Sequence, residues 1–367
     1  MKSGWVKKKL GEVCEINYGT RVRRKDSRSD NYPVYGGGGE TFRWETFNRE
    51  NQCVVSRFAM SPECVRFVSG KFFLNDSGLT VDTASDGLLQ DYLDWCLFGK
   101  QDIIYALGKG SAQKNLDIRE FGNIPIPIPP LPEQKRIVAK IDAAFEKIDK
   151  LKANAERNLA NAKELFQSVL DEAMRPKKGW VEKRLGEVGP VCMCKRILKS
   201  ETNESGGVPF YKIGTFGKTP NAYISEETYR RYRELYKFPR KGEILISAAG
   251  TIGRTVVYDG EPAYFQDSNI VWIANDETKV SNAYLQWYYK TSPWCVTKGA
   301  TIPRLYNDNI TSAAIAIPPI AEQRQIVKRL DFLAEKVKVL EQHYTRQIAD
   351  CAEMRQSVLR DAFEGRL

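Results

Sequence analysis

The sequence predicts an α+β protein built twice over. Two similar mixed α/β modules are each followed by a long helix, and the two helices form an intramolecular antiparallel coiled coil about a pseudo-twofold axis. Three observations predict this: a long helical repeat after Pro129, its return after Pro318, and a second pair of matches ahead of each module.

The first helix announces itself at Pro129-Pro130-Leu131-Pro132-Glu133-Gln134. The strip Ile124 to Pro132 cannot be helical, because proline lacks an amide donor and holds its predecessor extended. Pro132 suits the first helical position, and Glu133 suits the positive end of the helix dipole. No Pro or Gly follows until Pro176. Apolar or small residues recur at steps of four and three: Ile137, Ile141, Ala144, Ile148, Leu151, Ala155, Asn158, Ala162, Leu165 and Val169. This is a coiled-coil seam with one polar interruption. Roughly 42 residues make a rod of about 63 Å that needs a partner for its narrow apolar stripe.

The partner lies in the same chain. Pro318-Pro319-Ile320-Ala321-Glu322-Gln323 repeats the opening 189 residues on (318 − 129). The same offset carries the seam to Ile326, Leu330, Leu333, Val337, Leu340, Tyr344, Gln347, Cys351, Met354 and Val358, with Gln347 standing where Asn158 does. The two polar positions are expected to fix register. Lys135, Arg136, Lys140, Glu146 and Lys147 lie off the seam, free for solvent or another subunit.

The modules match as well. Trp5-Val6-Lys7-Lys8-Lys9-Leu10-Gly11-Glu12-Val13 returns as Trp180-Val181-Glu182-Lys183-Arg184-Leu185-Gly186-Glu187-Val188. Tyr32 to Tyr35 matches Val208 to Tyr211, and Phe73 to Ser77 matches Tyr264 to Ser268. The offset drifts between these matches, so loops differ on a shared core. The expected divisions are 1–128 for the first module, 129–176 for its helix, 177–317 for the second module and 318–367 for its helix. Strand-like runs fall at Cys53–Ser56, Ile244–Ser247 and Ile270–Ile273, and helical patches at Leu88–Leu97, Glu226–Tyr236 and Asn282–Tyr289. Cyclic continuation of the second helix into the first module would place the modules at opposite ends of an antiparallel pair.

Composition narrows the function. The chain has 367 residues, a net charge of +10 and a pI near 9.1. A basic balance permits nucleic-acid binding. No apolar run is long enough to span a membrane. Met1-Lys2-Ser3-Gly4-Trp5 lacks the apolar core of a secretory leader, so a cytoplasmic chain with reduced thiols is expected. The eight cysteines are scattered; Cys192-Met193-Cys194 has no second pair, and no metal site is expected. His343 is the single histidine, leaving little for acid–base chemistry. Gly217-Lys218-Thr219 ends like a phosphate loop, but Lys212 stands where its first glycine belongs. The Pro-Pro pairs lack the flanking Asn or Asp and aromatic residue of amino-methyltransferase sites.

Polar and basic loops supply candidate DNA contacts. Arg21, Arg23, Arg24, Lys25 and Arg28 form a basic run that reads as phosphate-binding or as a solvated loop. Gly36 to Gly39 either allow close backbone approach or make a mobile turn. The loop with Lys109, Ser111, Gln113, Lys114 and Asn115 aligns at offset 189 with Lys298, Thr301 and Arg304. Gln and Asn pair with adenine, Arg and Lys with guanine, so variable readout and a structural hinge both fit. Arg57, Lys212 and Arg254 are further candidates. Asp76 and Asp267 recur in matched strands, either holding a turn or accepting from cytosine.

With these features the chain resembles the specificity subunit of type I restriction-modification systems. The carriers are the two proline-initiated helices, the two W-V-x-K-x-L-G-E-V starts and Gly242 to Gly253, which reads GEILISAAGTIG. The resemblance covers essentially the whole chain. It implies two target-recognition domains that each read half of a bipartite double-stranded DNA site. It also implies helices that act as spacer and as docking surface for two methyltransferase subunits, with restriction subunits joining. S-adenosylmethionine, ATP and Mg would then belong to those partners, and this chain would be non-catalytic. Three other readings remain at this point: the specificity subunit of another multi-subunit modification system, a coiled-coil protein adaptor, and a stand-alone enzyme.

Overall fold

The computed structural model describes residues 4–111, 113–291, 294 and 304–367. The chain divides into two compact units, Met1–Arg157 with Tyr344–Leu367, and Asn158–His343. In chain order the first half contains β1 (Val6–Lys9), α1 (Leu10–Val13), β2 (Cys14–Tyr18), β3 (Tyr32–Tyr35), β4 (Phe42–Trp44), β5 (Arg49–Ser56), β6 (Val65–Leu74), β7 (Gly78–Thr83), α2 (Gln90–Gly99) and α3 (Gln101–Ala106). It continues through β8 (Gly108–Lys109), β9 (Asn115–Leu116), α4 (Ile118–Gly122), β10 (Pro125–Ile128) and the long helix α5 (Leu131–Met174). The second half runs β11 (Val181–Arg184), α6 (Leu185–Val188), β12 (Val191–Met193), β13 (Val208–Tyr211), β14 (Tyr223–Ile224), α7 (Glu226–Leu235), β15 (Ile244–Ser247), β16 (Thr255–Val257) and β17 (Tyr264–Phe265). It closes with β18 (Ile270–Ile273), α8 (Asn282–Lys290), α9 (Asn307–Thr311), β19 (Ala314–Ile317) and the long helix α10 (Ile320–Phe363).

Each repeated motif has a structural job. The Trp-Val-x-Lys-x-Leu-Gly-Glu-Val start makes a strand that pairs antiparallel with the strand just before the helix opening. Val6 faces Ile128 in the first unit, and Val181 faces Ile317 in the second. Its leucine, Leu10 or Leu185, is wholly buried. Its glutamate turns back to accept a backbone N–H, Lys9 to Glu12 at 3.1 Å and Arg184 to Glu187 at 2.7 Å. Alternate prolines are tolerated in β10 because it lies at the edge of a two-stranded sheet.

The main sheets share one topology. In the first unit the order is β2-β7-β5-β6-β3-β4, antiparallel except for the parallel pair β3 and β6. In the second, β12-β18-β15-β16 and β17-β13-β14 follow the same order, again with one parallel pair, β13 and β17. The long strand β6 thus corresponds to two short ones. Gly260, at φ +93°, and Pro262 stand in the gap between them. Strands β15 and β18 are buried along their whole length between two apolar clusters, which explains why they read as continuous apolar runs.

The glutamine of each helix opening is fully buried. Gln134 donates from Nε2 to the carbonyls of Gly87 and Pro129, both at 2.8 Å, and accepts from the Leu89 N–H at 2.9 Å. Gln323 repeats this with Lys279 (2.8 Å), Pro318 (2.9 Å) and the Ser281 N–H (2.9 Å). Leu89 and Ser281 are the N-cap residues of α2 and α8, so the amide ties the long helix to the start of a module helix. Two more bonds recur. Tyr92 and Tyr284 donate to the carbonyls of Pro127 and Ala316 at 2.9 and 2.7 Å. Trp95 and Trp287 donate to Asp142 and Asp331 on the long helices, both at 2.9 Å. Ile137, Ile141, Leu359 and Ala362 join the apolar core of the first unit, so parts of both long helices are integral to it.

Within each unit the long helices run antiparallel. In the first, Arg136 donates to the Leu367 carbonyl at 2.7 Å and Asp149 pairs with Arg355. In the second, Lys163 meets Glu341 at 4.0 Å and Leu170 packs with Ile326 and Leu330. The seam differs in detail from a strict heptad. Ile137, Ile141, Ile148, Ala155, Leu330 and Cys351 are buried, and Ala144, Ala162, Val169, Ile326, Leu333, Val337, Tyr344, Gln347 and Val358 are half-buried. Leu151, Asn158, Leu165, Leu340 and Met354 are exposed. Leu159, Phe166 and Arg355 take the inward places expected of Asn158, Leu165 and Met354. A helix of 3.6 residues per turn drifts about 20° per heptad against a 3.5 repeat, roughly one residue after five heptads. Asn158 therefore leaves the seam, and Gln347 is the polar residue that keeps a half-buried place in it.

Two stability predictions come from this packing. Gln134→Leu strands a buried N–H and two carbonyls, and should cost about 2–4 kcal/mol by urea unfolding. Gln134→Glu should not restore it, since a carboxylate cannot donate to those carbonyls. Asp94 on α2 is 8% exposed, and burial pushes its carboxyl up to about 7 despite the bond from Gln90 at 2.8 Å. The folded chain then holds a proton that the unfolded chain releases near pH 4, so this group's contribution to stability falls as pH rises from about 4 to about 7. The advantage of Asp94→Asn over the native chain should grow across that window, reaching on the order of 4 kcal/mol at pH 8. Parallel pH profiles of the two proteins would count against this.

Candidate nucleic-acid interface

In the first unit β6 runs into the turn Asn75-Asp76-Ser77, and three other segments converge on that turn. Asn75 Oδ1 accepts from the N–H and hydroxyl of Ser77 at 2.7 and 2.6 Å, which fixes its shape. Gly37 follows β3 and donates its N–H to the Ser77 hydroxyl oxygen at 3.2 Å. Arg57 follows β5 and donates its N–H to the Ser77 carbonyl at 2.8 Å. Its guanidinium lies between the rings of Tyr18 and Phe58, 4.6 and 4.5 Å from their centres. The basic run also starts here, since Thr20 donates its N–H to the Leu74 carbonyl at 2.9 Å. Arg21, Arg24, Lys25 and Arg28 are exposed beyond it, while Arg23 is paired with Asp26 at 2.6 Å.

The glycine loop between β8 and β9 joins the same edge. Leu116 donates its N–H to the Arg57 carbonyl, and Met60 its N–H to the Lys114 carbonyl, at 2.8 and 3.0 Å. Ser111, Gln113 and Asn115 are exposed. Lys109 is paired with Asp117 at 2.5 Å, which holds its ammonium above the ordinary lysine value, and Lys114 sits 4.1 Å over the Tyr105 ring. Lys109 is thus paired within its own module while its side chain stays 76% exposed.

The second unit builds a related edge with different side chains. The turn after β17 is Gln266-Asp267-Ser268-Asn269, with Ser268 at φ +49°. Asp267 is bonded by Arg196 Nε at 2.7 Å, so its carboxylate serves an arginine of its own module. Arg304 donates from Nη2 to the Ser268 hydroxyl at 2.9 Å. Leu305 donates its N–H to the Ala248 carbonyl at 2.8 Å, as Leu116 does to Arg57. Arg196, Lys199, Lys212, Gln266, Asn269 and Arg304 line a cavity of about 490 Å³ here. Arg254 turns inward, donating from Nη1 to the Phe216 carbonyl at 3.1 Å, so it shapes the loop after β15. Lys298 and Thr301 lie outside the described residues.

Sequence reasoning missed Arg196, Lys199, Gln266 and Asn269. A signal existed: Lys195-Arg196 follows β12 as the basic run follows β2. The thiols of Cys192 and Cys194 face an apolar cluster, and burial pushes Cys194 up to about 12. Among the described residues no group of three His, Cys, Asp or Glu side chains is placed to hold a metal, and no helix is long and apolar enough to cross a membrane.

Two modules of one topology each present arginine, lysine and amide side chains around the same turn, a pair of surfaces whose chemistry suits nucleic acid. Comparison with known proteins gives the class its name. Residues 2–159 and 177–348 each match the type I restriction modification DNA specificity domain, and the chain belongs to that family. It is 42% identical over 334 residues to a putative type I restriction enzyme specificity subunit of Haemophilus influenzae, S.HindORF215P, covering 88% of this chain and 86% of that one. It is 26% identical over 293 residues to the EcoKI specificity subunit of Escherichia coli, covering 72% and 62%. Among solved structures, a chain from work on complex assembly and conformational transition of the type I R-M system matches at TM-score 0.80. That match has 21% identity and covers 100% of this chain and 99% of that one. The HsdS subunit of Thermoanaerobacter tengcongensis matches at 0.58, also with 21% identity, covering 100% and 98%.

The four glycines after β3 separate into two pairs, which gives a direct check on this edge. A Cβ on Gly37 would lie 2.5 Å from the Phe58 carbonyl oxygen, whereas one on Gly38 would meet nothing within 4 Å. Gly37→Ala should therefore cost about 1–3 kcal/mol in denaturant unfolding, and Gly38→Ala should stay within about 0.5 kcal/mol of the native chain. Equal costs for the two would contradict the packing described.

Proposed function

We propose that this chain reads a bipartite, asymmetric double-stranded DNA site for a type I restriction-modification complex, one half-site per module. The observation that carries the reading is the duplicated turn, Asn75-Asp76-Ser77 and Gln266-Asp267-Ser268, surrounded in each module by a different set of arginine, lysine and amide groups. Different donors on one scaffold support half-sites of different sequence. Base edges in the major groove are distinguished by such donors, and exposed arginines and lysines such as Arg21, Arg24 and Lys25 suit phosphates. The long helices set the spacing and dock two methyltransferase subunits, which restriction subunits join.

On this reading the chain contributes recognition and no bond chemistry. Methylation of adenine N6 and ATP-dependent cleavage belong to the partners, with S-adenosylmethionine, ATP and Mg bound there. The complex acts in the cytoplasm, where DNA is reached directly.

The test is sequencing of modified bases in cells with and without the chain. A bipartite modified site should vanish when the chain is deleted, and an unchanged methylome would sink the proposal. A matched insertion of one helical turn near Leu151 and, on the other helix, near Arg355 should lengthen the preferred gap and leave both half-sites intact. A changed half-site would contradict the division of labour between helices and modules.

A further inference from the structure

We infer that Arg196 reads a guanine in the half-site of the second module, and that Asp267 is the positioning residue that aims it. This deepens the DNA-reading proposal above and rests on it.

The geometry is that of a braced reader. Arg196 is 68% exposed at its side chain, yet it is not free to wander. Its Nε is bonded to Asp267 Oδ2 at 2.7 Å, and that carboxylate is only 19% exposed. Using Nε for the brace leaves the two terminal donors of the planar guanidinium, Nη1 and Nη2, on a side chain that is mostly exposed. Guanine offers two acceptors, O6 and N7, on its major-groove edge, and a pair of parallel donors matches them. A brace removes the rotamer freedom that binding would otherwise have to quench. Phosphate contacts need charge but no such aim.

The platform beneath the brace is tied together by hydrogen bonds. Gln266 Oε1 accepts the Ile213 N–H at 2.9 Å, and the Asn269 N–H meets the Asp267 carbonyl at 2.5 Å. Arg304 bonds Ser268 on the same turn. The first module also holds an arginine at the matched turn, but takes it from a different element. Arg57 comes from the end of β5, clamped by two rings, whereas Arg196 comes from the segment after β12. A common turn that carries an arginine from different strands is a direct way for two modules of one fold to read different sequences.

The experiment uses the complete modification complex in cells, with modified bases sequenced for the native chain and for Arg196→Ala, Arg196→Lys and Asp267→Asn. The native site should contain a G·C pair in the second module's half-site. Arg196→Ala should admit other bases at that one position, losing roughly 5- to 150-fold discrimination there. Arg196→Lys should hold overall modification but keep only part of the discrimination, because it lacks the planar pair of donors. Asp267→Asn should relax the same position more weakly and no other. The inference is overturned if Arg196→Ala leaves every position strict and only weakens binding, with the salt slope reduced by about 1, since that is a phosphate contact. Full discrimination in Arg196→Lys, or relaxation in the other half-site, would overturn it too. A native chain that directs no defined modified site would sink the DNA-reading proposal and this inference with it, whereas the earlier outcomes leave that proposal standing.

Discussion

A buried primary amide decides how this chain is put together. Gln134 and Gln323 each sit at zero exposure with both amide hydrogens and the carbonyl oxygen engaged. An amide buried without partners would cost several kcal/mol, so the site tolerates one arrangement of the backbone around it. That arrangement fixes the first turn of the long helix against the first turn of α2 or α8. Tyr92 and Tyr284 then fix the module helix to the strand before the opening, and one turn further along the module helix Trp95 and Trp287 fix it to the long helix. The short proline-rich opening is therefore a joint. Its prolines stop the helix from starting early, and its glutamine sets where the module attaches.

From that joint outwards the two units diverge in a graded way. The two-stranded sheets keep the same register, and the main sheets keep the same strand order. The long strand β6 survives in one unit and is broken in the other, and α7 has no counterpart in the first. At the far edge the turns match in position while the side chains around them do not. The backbone of the turn is kept by its own hydrogen bonds, and the differences between the units fall on the side chains around it. Asp267 illustrates the shift: a residue in a repeated motif orients Arg196, while at the matched Asp76 it is the backbone carbonyl that lies 3.5 Å from Arg57.

The seam shows how far periodicity alone can be followed. Ile137, Ile141 and Ile148 are buried where the repeat put them, yet Leu165 is 67% exposed and Phe166 faces inward instead. Over many turns the difference between 3.5 and 3.6 residues accumulates to a whole side chain. An interruption at Asn158 that reads as a buried polar residue is, in the folded chain, a surface one.

Sequence by itself determined the duplication, the two long helices and their starts, the strands β5, β15 and β18 and the helices α2, α7 and α8. All of these follow from local periodicity, proline chemistry and repeated motifs, which short stretches of chain carry unaided. It also placed the candidate interface on loops rich in arginine, lysine and glycine. Tertiary structure alone decided which of those residues share an edge, that Lys109 and Arg254 are engaged by their own module, and that Arg196 and Gln266 stand beside Arg304. Arg196 and Asp267 are 71 residues apart in sequence and 2.7 Å apart in space. Contacts of that kind depend on strand order and the joint at Gln323, and no local pattern encodes them.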